Sequence, residues 1–347
     1  MTADEITVQR WSRSSAGAAV SVALLVAALA FVPVALSANA TDKLTTLFVY
    51  VILAAMWNAL AGYGGLVSVG QQAFFGLGAY FAIKLSLAGV GAYPTVILGA
   101  LIAGAISIPI SWFMLRLRGG EFAIGMWVVA EVVFRLVILD HSIGGLTGTS
   151  LSSLNAYSPA DRRNYNYWLT LGVTFGLLAL VFWLLRSRTG ASLQAIRDDE
   201  EAAASVGVRV LAGKGVIFIL AAAGCAFAGT LNLATSTTFQ PNDFFSVKWT
   251  AYMLFMALVG GLGTFEGPII GAILFFVIQD QLGDYGVWYL VGLGAGAIFF
   301  ALLLPRGLWG TLEERLGIQL LPVGYRLRGL GAARPRLEGR GAGEAAS

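Results

Sequence analysis

Charge is scarce in this chain. Asp, Glu, Lys and Arg make up 12% of its 347 residues, about half the share of an ordinary soluble domain. With 57% hydrophobic residues and a mean hydropathy of +0.77, the apolar surface exceeds what a soluble fold can hide. Cysteine and histidine are rarer still. Cys225, the only cysteine, sits in an apolar run, and His141, the only histidine, sits at a loop edge. That excludes a disulfide framework and any Cys/His set spaced as metal ligands. No phosphate-binding loop is present, because Gly213-Lys214 has Val208 where the first Gly belongs and Gly215 where Ser or Thr belongs. The run Gly144 to Ser150 lacks the Lys altogether and reads as a flexible loop. A net charge of +3 and a pI near 9.0 would suit nucleic acid only if Lys and Arg were massed on one surface, and they are not.

What the chain does have is a succession of apolar runs about the length needed to cross a bilayer as a helix. Hydropathy divides it into ten candidate spans: 16–36, 44–61, 66–88, 93–115, 122–139, 168–185, 215–234, 249–265, 268–283 and 287–304. The fold class expected is an all-α polytopic membrane protein with about ten transmembrane helices. The pairs 44–61/66–88 and 249–265/268–283 are short or joined by a few residues rich in Gly or Pro, so broken or re-entrant helices are the alternative there. Arg10 and Arg13 precede the first run and Ala38-Asn39-Ala40 resembles a signal-peptidase site, but the run is too long for a signal core and reads as an uncleaved first span. With the N-terminus placed in the cytoplasm, sixteen of the 22 Lys and Arg fall inside, four outside (Lys43, Arg162, Arg163, Lys248) and two, Lys84 and Arg135, within spans. The positive-inside rule therefore favours ten crossings with both termini cytoplasmic.

The domain reading follows: a cytoplasmic N-terminus over 1–15, a membrane domain over 16–304, and a cytoplasmic tail over 305–347 whose Gly/Ala/Arg/Glu bias predicts disorder toward its end. Two loops are longer than a connection needs, the outward 140–167 and the inward 186–214. Glycines four apart, as in Gly172/Gly176, Gly263/Gly267, Gly267/Gly271 and Gly292/Gly296, predict close helix packing. Glu131 and Arg135 share one face of the fifth span and are expected to form an intramembrane ion pair facing a neighbouring helix. Lys84 and Asp280, near span ends, are given no role. In the inward loop, Ala191 to Val206 lacks Gly and Pro and predicts one short helix ended by Gly207. Its mixed face, with Glu200 among Leu193, Ile196 and Ala203, suits docking to a protein better than lying on a membrane.

Three segments resemble one family, the LivM-like permeases of ABC importers for branched-chain amino acids. They are GYGGLVSVGQQAFFGLGAY over 62–80, RLRGGEFAI over 116–124, and SRTGASLQAIRDDEEAAASVGV over 187–208 followed by VGGLGTFEGPIIGA over 259–272. Within the third, Glu201-Ala202-Ala203 followed by Gly207 is similar to the E-A-A-x-x-x-G signature that such permeases present to their ATPases, and Ile217 takes the later Ile position. Ile219 and Leu220 stand where the signature has Leu-Pro, Gln71 where many relatives have another polar residue, and Gly120 where an acid is common.

The resemblance implies that loop 186–214 couples to ATPases through Arg197, Asp198, Glu201, Ala202, Ala203 and Gly207. It implies a bacterial cytoplasmic (inner) membrane location. It also implies a homologous second permease, two cytoplasmic ATP-binding subunits and an extracytoplasmic substrate-binding protein as partners, with ATP and Mg bound by those partners and no cofactor or enzymatic site in this chain. Backbone around the glycine-rich breaks, at Gly62, Tyr63, Gly65, Ser68 and Gly70 and at Gly260, Gly261 and Gly263, is the candidate lining of the pathway, since unwound helix offers polar groups to an amino acid's carboxylate and ammonium. Two alternatives remain open at this point. One is the same machine carrying urea or short amides, and the other is an ion-coupled secondary transporter, which would want more intramembrane acids than this chain has.

Overall fold

In a computed structural model that describes residues 7–9, 13–304, 306–316 and 326–328, each of the apolar runs is helical. Most of the expected cytoplasmic N-terminus and of the tail, with its expected disorder, lies outside the described residues. The helices are α1 (Arg13–Ala30), α2 (Ala38–Asn58), α3 (Gln72–Leu87), α4 (Ala92–Met114), α5 (Gly119–Ile138), α6 (Pro159–Arg186), α7 (Arg188–Asp198), α8 (Glu200–Ser205), α9 (Val210–Ser236), α10 (Lys248–Gly260), α11 (Gly267–Leu282), α12 (Val287–Leu303) and α13 (Gly307–Leu316). The loop that carries the expected coupling residues is thus two helices where one was expected, for a reason given below.

Among the described residues, five helical stretches are long and apolar enough to span a bilayer: Ala38–Tyr63, α4, α6, α9 and Trp288–Arg315. The others are of a different kind. α3 and α11 are apolar with 16 residues each, and α10 has 13, about 20 Å at 1.5 Å per residue against a hydrocarbon core about 30 Å thick. Each of these short helices adjoins a non-helical glycine-rich stretch, which is the broken alternative foreseen for those two pairs. α6 begins at Pro159, with Ser158 Oγ accepting from Asp161 N at 3.2 Å, so part of the expected outward loop is helix. The rest of that loop is tied down: Thr149–Ser150 pairs antiparallel with Thr238–Phe239, so the run expected to be a flexible loop ends in a strand.

Helix α2 is the axis of the bundle. Of the apolar part of Ala38–Tyr63, 83% is buried by the rest of the chain, against 12% for Trp288–Arg315, which therefore lies at the periphery. Around α2, the α3, α4 and α9 helices pack on one another and α10 packs on α11. Glycine makes the closest of these approaches. A Cβ on Gly229 of α9 would stand 1.9 Å from Phe75 O of α3, and one on Gly271 of α11 would stand 1.8 Å from Met256 O of α10. In lipid, where burial of apolar surface does not drive association, such contact is what holds helices together. The expectation of close packing fails at Gly172, Gly176 and Gly292, where an added Cβ meets nothing in this chain, because those helix faces point away from the bundle.

Candidate functional site

The two glycine-rich breaks, about 200 residues apart in sequence, meet at one end of the bundle, and the charged loop lies over them. After Asn58 the axis helix loosens into a π turn, Ala59–Tyr63, and then stops, with Gly65 in the left-handed region at φ 67°. The following non-helical stretch is held by Trp57, whose Nε1 donates to Ser68 O at 2.9 Å. The second break starts where α10 ends, with Gly261 at φ 134° and Gly263 at φ 78°, conformations that only glycine adopts at ease. Asn58 stitches the two together. Its Nδ2 donates to Thr264 O at 2.8 Å and its Oδ1 accepts from Gly263 N at 2.8 Å. A Cβ on Gly62 would lie 2.6 Å from Gly263 N, so the backbones touch.

Arg197 of α7 completes the joint. Its Nη1 donates to Gly62 O at 2.9 Å, while Nε and Nη2 donate to Asp198 Oδ1 at 3.1 and 3.0 Å. A Cβ on Gly65 would sit 3.4 Å from Arg197 Cα and one on Gly263 would sit 3.3 Å from Arg197 Nη1, so one side chain touches both breaks.

The loop is tightly turned and capped. A Cβ on Gly190 would stand 2.0 Å from Leu185 O, so α6 turns into α7 with no slack, and Ser187 caps α7 by accepting from Thr189 N at 3.2 Å. The single helix expected over 191–206 breaks at Asp199, which is extended (φ −155°, ψ 109°) and whose Oδ1 accepts from Glu201 N at 3.0 Å and Ala202 N at 2.9 Å. Asp199 is an N-cap, and a cap ends one helix as it starts another. At the far end of α8, Gly207 takes φ 87° and Val208 N donates back to Ala203 O at 3.1 Å, a glycine C-cap of the Schellman type.

The expected coupling residues sort into two groups. Ala203 is buried against the bundle beside Leu193 and Ile196 of the same face, and Arg197, though exposed, reaches Gly62 O. Asp198, Glu201, Ala202 and Gly207 are exposed, as is Val206 at 79%. Glu200 is awkward on a helix wheel but not in the structure: its Oε2 meets Lys214 Nζ at 2.5 Å and its Oε1 lies 3.7 Å from Arg118 Nε. The exposed remainder is an acidic and apolar face two short helices wide. The expected pathway residues Gly62, Tyr63, Ser68, Gly70, Gly260 and Gly261 are buried, Gly70 against Met126 of α5, while Gly65 is exposed and Gly263 half-buried.

The opposite end is tied by side chains. Asp140 Oδ2 accepts from Tyr80 Oη at 2.7 Å and meets Lys84 Nζ at 2.9 Å, and Lys84 also donates to Ser142 Oγ at 2.8 Å. The hydrogen bonds from Ser142, Lys84 and Tyr80 hold the Asp140 carboxyl well below the usual carboxylate range. Lys84, to which sequence reasoning assigned no role, is thus a strut between α3 and the loop after α5. Lys43 pairs with Asp280 at 2.8 Å, and Arg163 with Asp42 at 3.1 Å beside a polar cleft of about 330 Å³ lined also by Arg162 and Asn166.

In the last two turns of α5, Arg135 donates from Nε to Glu131 Oε1 at 2.8 Å, with Nη2 2.6 Å from the same oxygen. The pair forms, but it does not face another helix of this chain, since Arg135 is 66% and Glu131 53% exposed. Asn58, Asp199 and Lys214 are the site residues that sequence reasoning missed. A lone amide one turn before a glycine break, and the Asp-Asp-Glu-Glu run at 198–201, were the available signals.

Among the described residues no group of His, Cys, Asp and Glu could hold a metal ion. A family described as branched-chain amino acid transport system / permease component matches residues 39–304. The chain is 30% identical to the high-affinity branched-chain amino acid transport system permease protein LivM of Escherichia coli K12 over 86% of this chain and 76% of the relative. It is 29% identical to the protein of the same name in Salmonella typhimurium, with the same coverage. It is 24% identical to a probable branched-chain amino acid transport permease protein LivM of Methanocaldococcus jannaschii over 78% of this chain and 81% of that one. No solved structure matches.

Proposed function

The chain belongs to the permease component family of branched-chain amino acid transport systems, and on that premise we propose that it forms part of the membrane pathway of an ABC importer for leucine, isoleucine and valine. A homologous second permease completes the pathway, two separate ATP-binding subunits bind ATP and Mg and supply the work, and an extracytoplasmic binding protein delivers substrate. This chain has no cofactor or catalytic site of its own, and it sits in the bacterial inner membrane with both termini in the cytoplasm.

The observation that carries the reading is the contact of Arg197 with Gly62 O and with Gly263, because it joins the exposed α7–α8 surface to the two places where the membrane helices are broken. An ATPase that moves on nucleotide binding would push that surface, and the rigid turn at Gly190 and the Arg197 contact would pass the displacement to the breaks. Breaks are where a bundle hinges with little cost, since their backbone is not committed to a helical ladder. The distribution of ion pairs supports the orientation. Lys43–Asp280, Lys84–Asp140 and Arg163–Asp42 join segments expected outside, whereas Lys214–Glu200, Arg118–Glu200 and Arg306–Glu314 join segments expected inside.

The test is uptake by vesicles holding this chain with its partner subunits, comparing leucine, isoleucine and valine with urea, with and without ATP. ATP-dependent uptake of the three amino acids and not of urea is expected. Uptake that ignores ATP would overturn the importer reading, and ATP-dependent uptake of urea in their place would overturn the substrate.

A further inference from the structure

Among the described residues, helix α1 is tied to the rest of the chain near its Ala30 end. Tyr167 Oη donates to Leu29 O at 2.8 Å and Trp168 Nε1 to Ala30 O at 3.0 Å, and Val32 just beyond is buried. Back along the helix, Val20, Leu24 and Leu25 are more than half exposed. Between α1 and the wall made by α2, α6 and the first turns of α11 lies a groove of about 430 Å³. Thr174 carries the one hydroxyl among the described residues that line it, and its Oγ1 donates to Thr170 O at 2.7 Å within α6, so the walls are apolar.

The groove has a size and a direction. Along α6 it extends from Thr174 to Trp183, about 14 Å at 1.5 Å per residue, which is about half of a hydrocarbon core roughly 30 Å thick. A helix about 10–12 Å across needs more than about 1,000 Å³ over that length, so the groove admits an acyl chain and not another helix. Its end nearer α7 is marked by Trp183, 77% exposed, a residue type that gathers at the level of lipid headgroups. One turn further, the Arg186 guanidinium stands over the ring of Phe182, which lines the groove, 5.3 Å from its centroid, and Arg188 follows, exposed. A guanidinium carries several N–H groups, so Arg186 can donate to a phosphate in addition to its contacts within the chain.

From the apolar groove and the guanidinium at its end we propose that this chain seats one anionic phospholipid of the leaflet on the α7 side, with an acyl chain along the groove and the phosphate on Arg186. The medium around these helices is lipid, so the chain that fills the groove comes from the bilayer itself. Two basic residues at headgroup level, Arg186 and Arg188, select a head of net negative charge over a zwitterionic one. Phe265, which packs on Phe182 with ring centroids 5.5 Å apart, belongs to the second glycine break, so the lipid bridges α1 to the start of α11. The inference needs only that these helices lie in a bilayer, and it holds whichever solute is carried.

The experiment takes the complete transporter, purified in detergent and stripped of lipid, adds dipalmitoyl phosphatidylglycerol or dipalmitoyl phosphatidylcholine, and counts bound lipid by native mass spectrometry. Wild type should hold one phosphatidylglycerol more per copy of this chain than Ala179→Trp, whose new ring fills the groove, while Leu180→Trp, exposed on α6 outside the groove, should match wild type. Ala179 is itself exposed, so both variants should keep the lipid-free unfolding midpoint. Arg186→Gln should bind phosphatidylglycerol about fivefold more weakly with phosphatidylcholine unchanged, and Arg186→Lys, which keeps the charge, should recover most of the loss. Equal counts for wild type and Ala179→Trp would overturn the seat, and equal affinity of wild type for the two heads would overturn the contact with Arg186. A benzophenone attached to Ala179→Cys, with native Cys225 fully buried and unlabelled, should cross-link to lipid; cross-linking to a partner subunit or to this chain's own tail would give the groove to protein and overturn the proposal.

Discussion

The two ends of this bundle are held in different ways. At the end expected to face outward, segments are tied by ion pairs between half-exposed side chains, Lys43 with Asp280 and Arg163 with Asp42, and by the hydrogen-bonded Asp140. At the end expected to face inward, backbone touches backbone at Gly62 and Gly263, and a single arginine and a single asparagine fix the contact. Exposed ion pairs are worth little and re-form easily after movement. Glycine-to-glycine contact tolerates no added atom and passes displacement on, because packed interiors shift between discrete arrangements and do not deform smoothly.

The comparison is easiest to break where it is tightest. Gly62→Val would place its Cβ 2.5 Å from Asn58 Oδ1 and 2.6 Å from Gly263 N, so the variant should lose about 3 kcal/mol of stability, read as a lowered unfolding midpoint of the solubilised complex. Glu200→Ala comes next. It strands the Lys214 ammonium, only 7% exposed, and should cost about 2 kcal/mol, less than a fully buried pair because Glu200 is itself 27% exposed.

Asp140 gives the outer end a pH signature. A carboxyl held below its ordinary value stabilises the folded state in full above about pH 4, and that contribution is lost as pH falls below 4 toward the lowered folded value. The unfolding midpoint of wild type should therefore exceed that of Asp140→Asn at pH 7, with the gap narrower at pH 3; a gap as large at pH 3 as at pH 7 would show that the carboxylate is not its source. Smallest of all, Lys43→Ala should cost less than about 1 kcal/mol, and less still at high salt. An effect at Lys43 as large as that at Gly62 would erase the contrast between the ends.

What could be read in the sequence and what could not divides along the same line. Apolar runs announced the helices, the i, i+4 spacing announced Glu131 and Arg135, and Gly207 announced a C-cap, because each of these signals is local. The break at Asp199 was local too, yet the run of good helix formers around it masked the capping residue. The meeting of Gly62 with Gly263, Asn58 with Thr264, and Lys84 with Asp140 depends on which helices pack together, and no spacing in a single sequence records that. Outward exposure of Glu131 and Arg135 belongs to the same class, since periodicity places two residues on one face without saying what that face meets.

The central claim, that force enters through α7 and reaches the bundle at the glycine joint, is tested most directly by the ATP hydrolysed per leucine imported in vesicles carrying Arg197→Ala. Removing the guanidinium cuts the contact with Gly62 O and leaves the exposed α7–α8 surface in place, so hydrolysis should continue near the wild-type rate while the ratio rises about tenfold. A ratio equal to wild type, with both rates unchanged, would contradict the account.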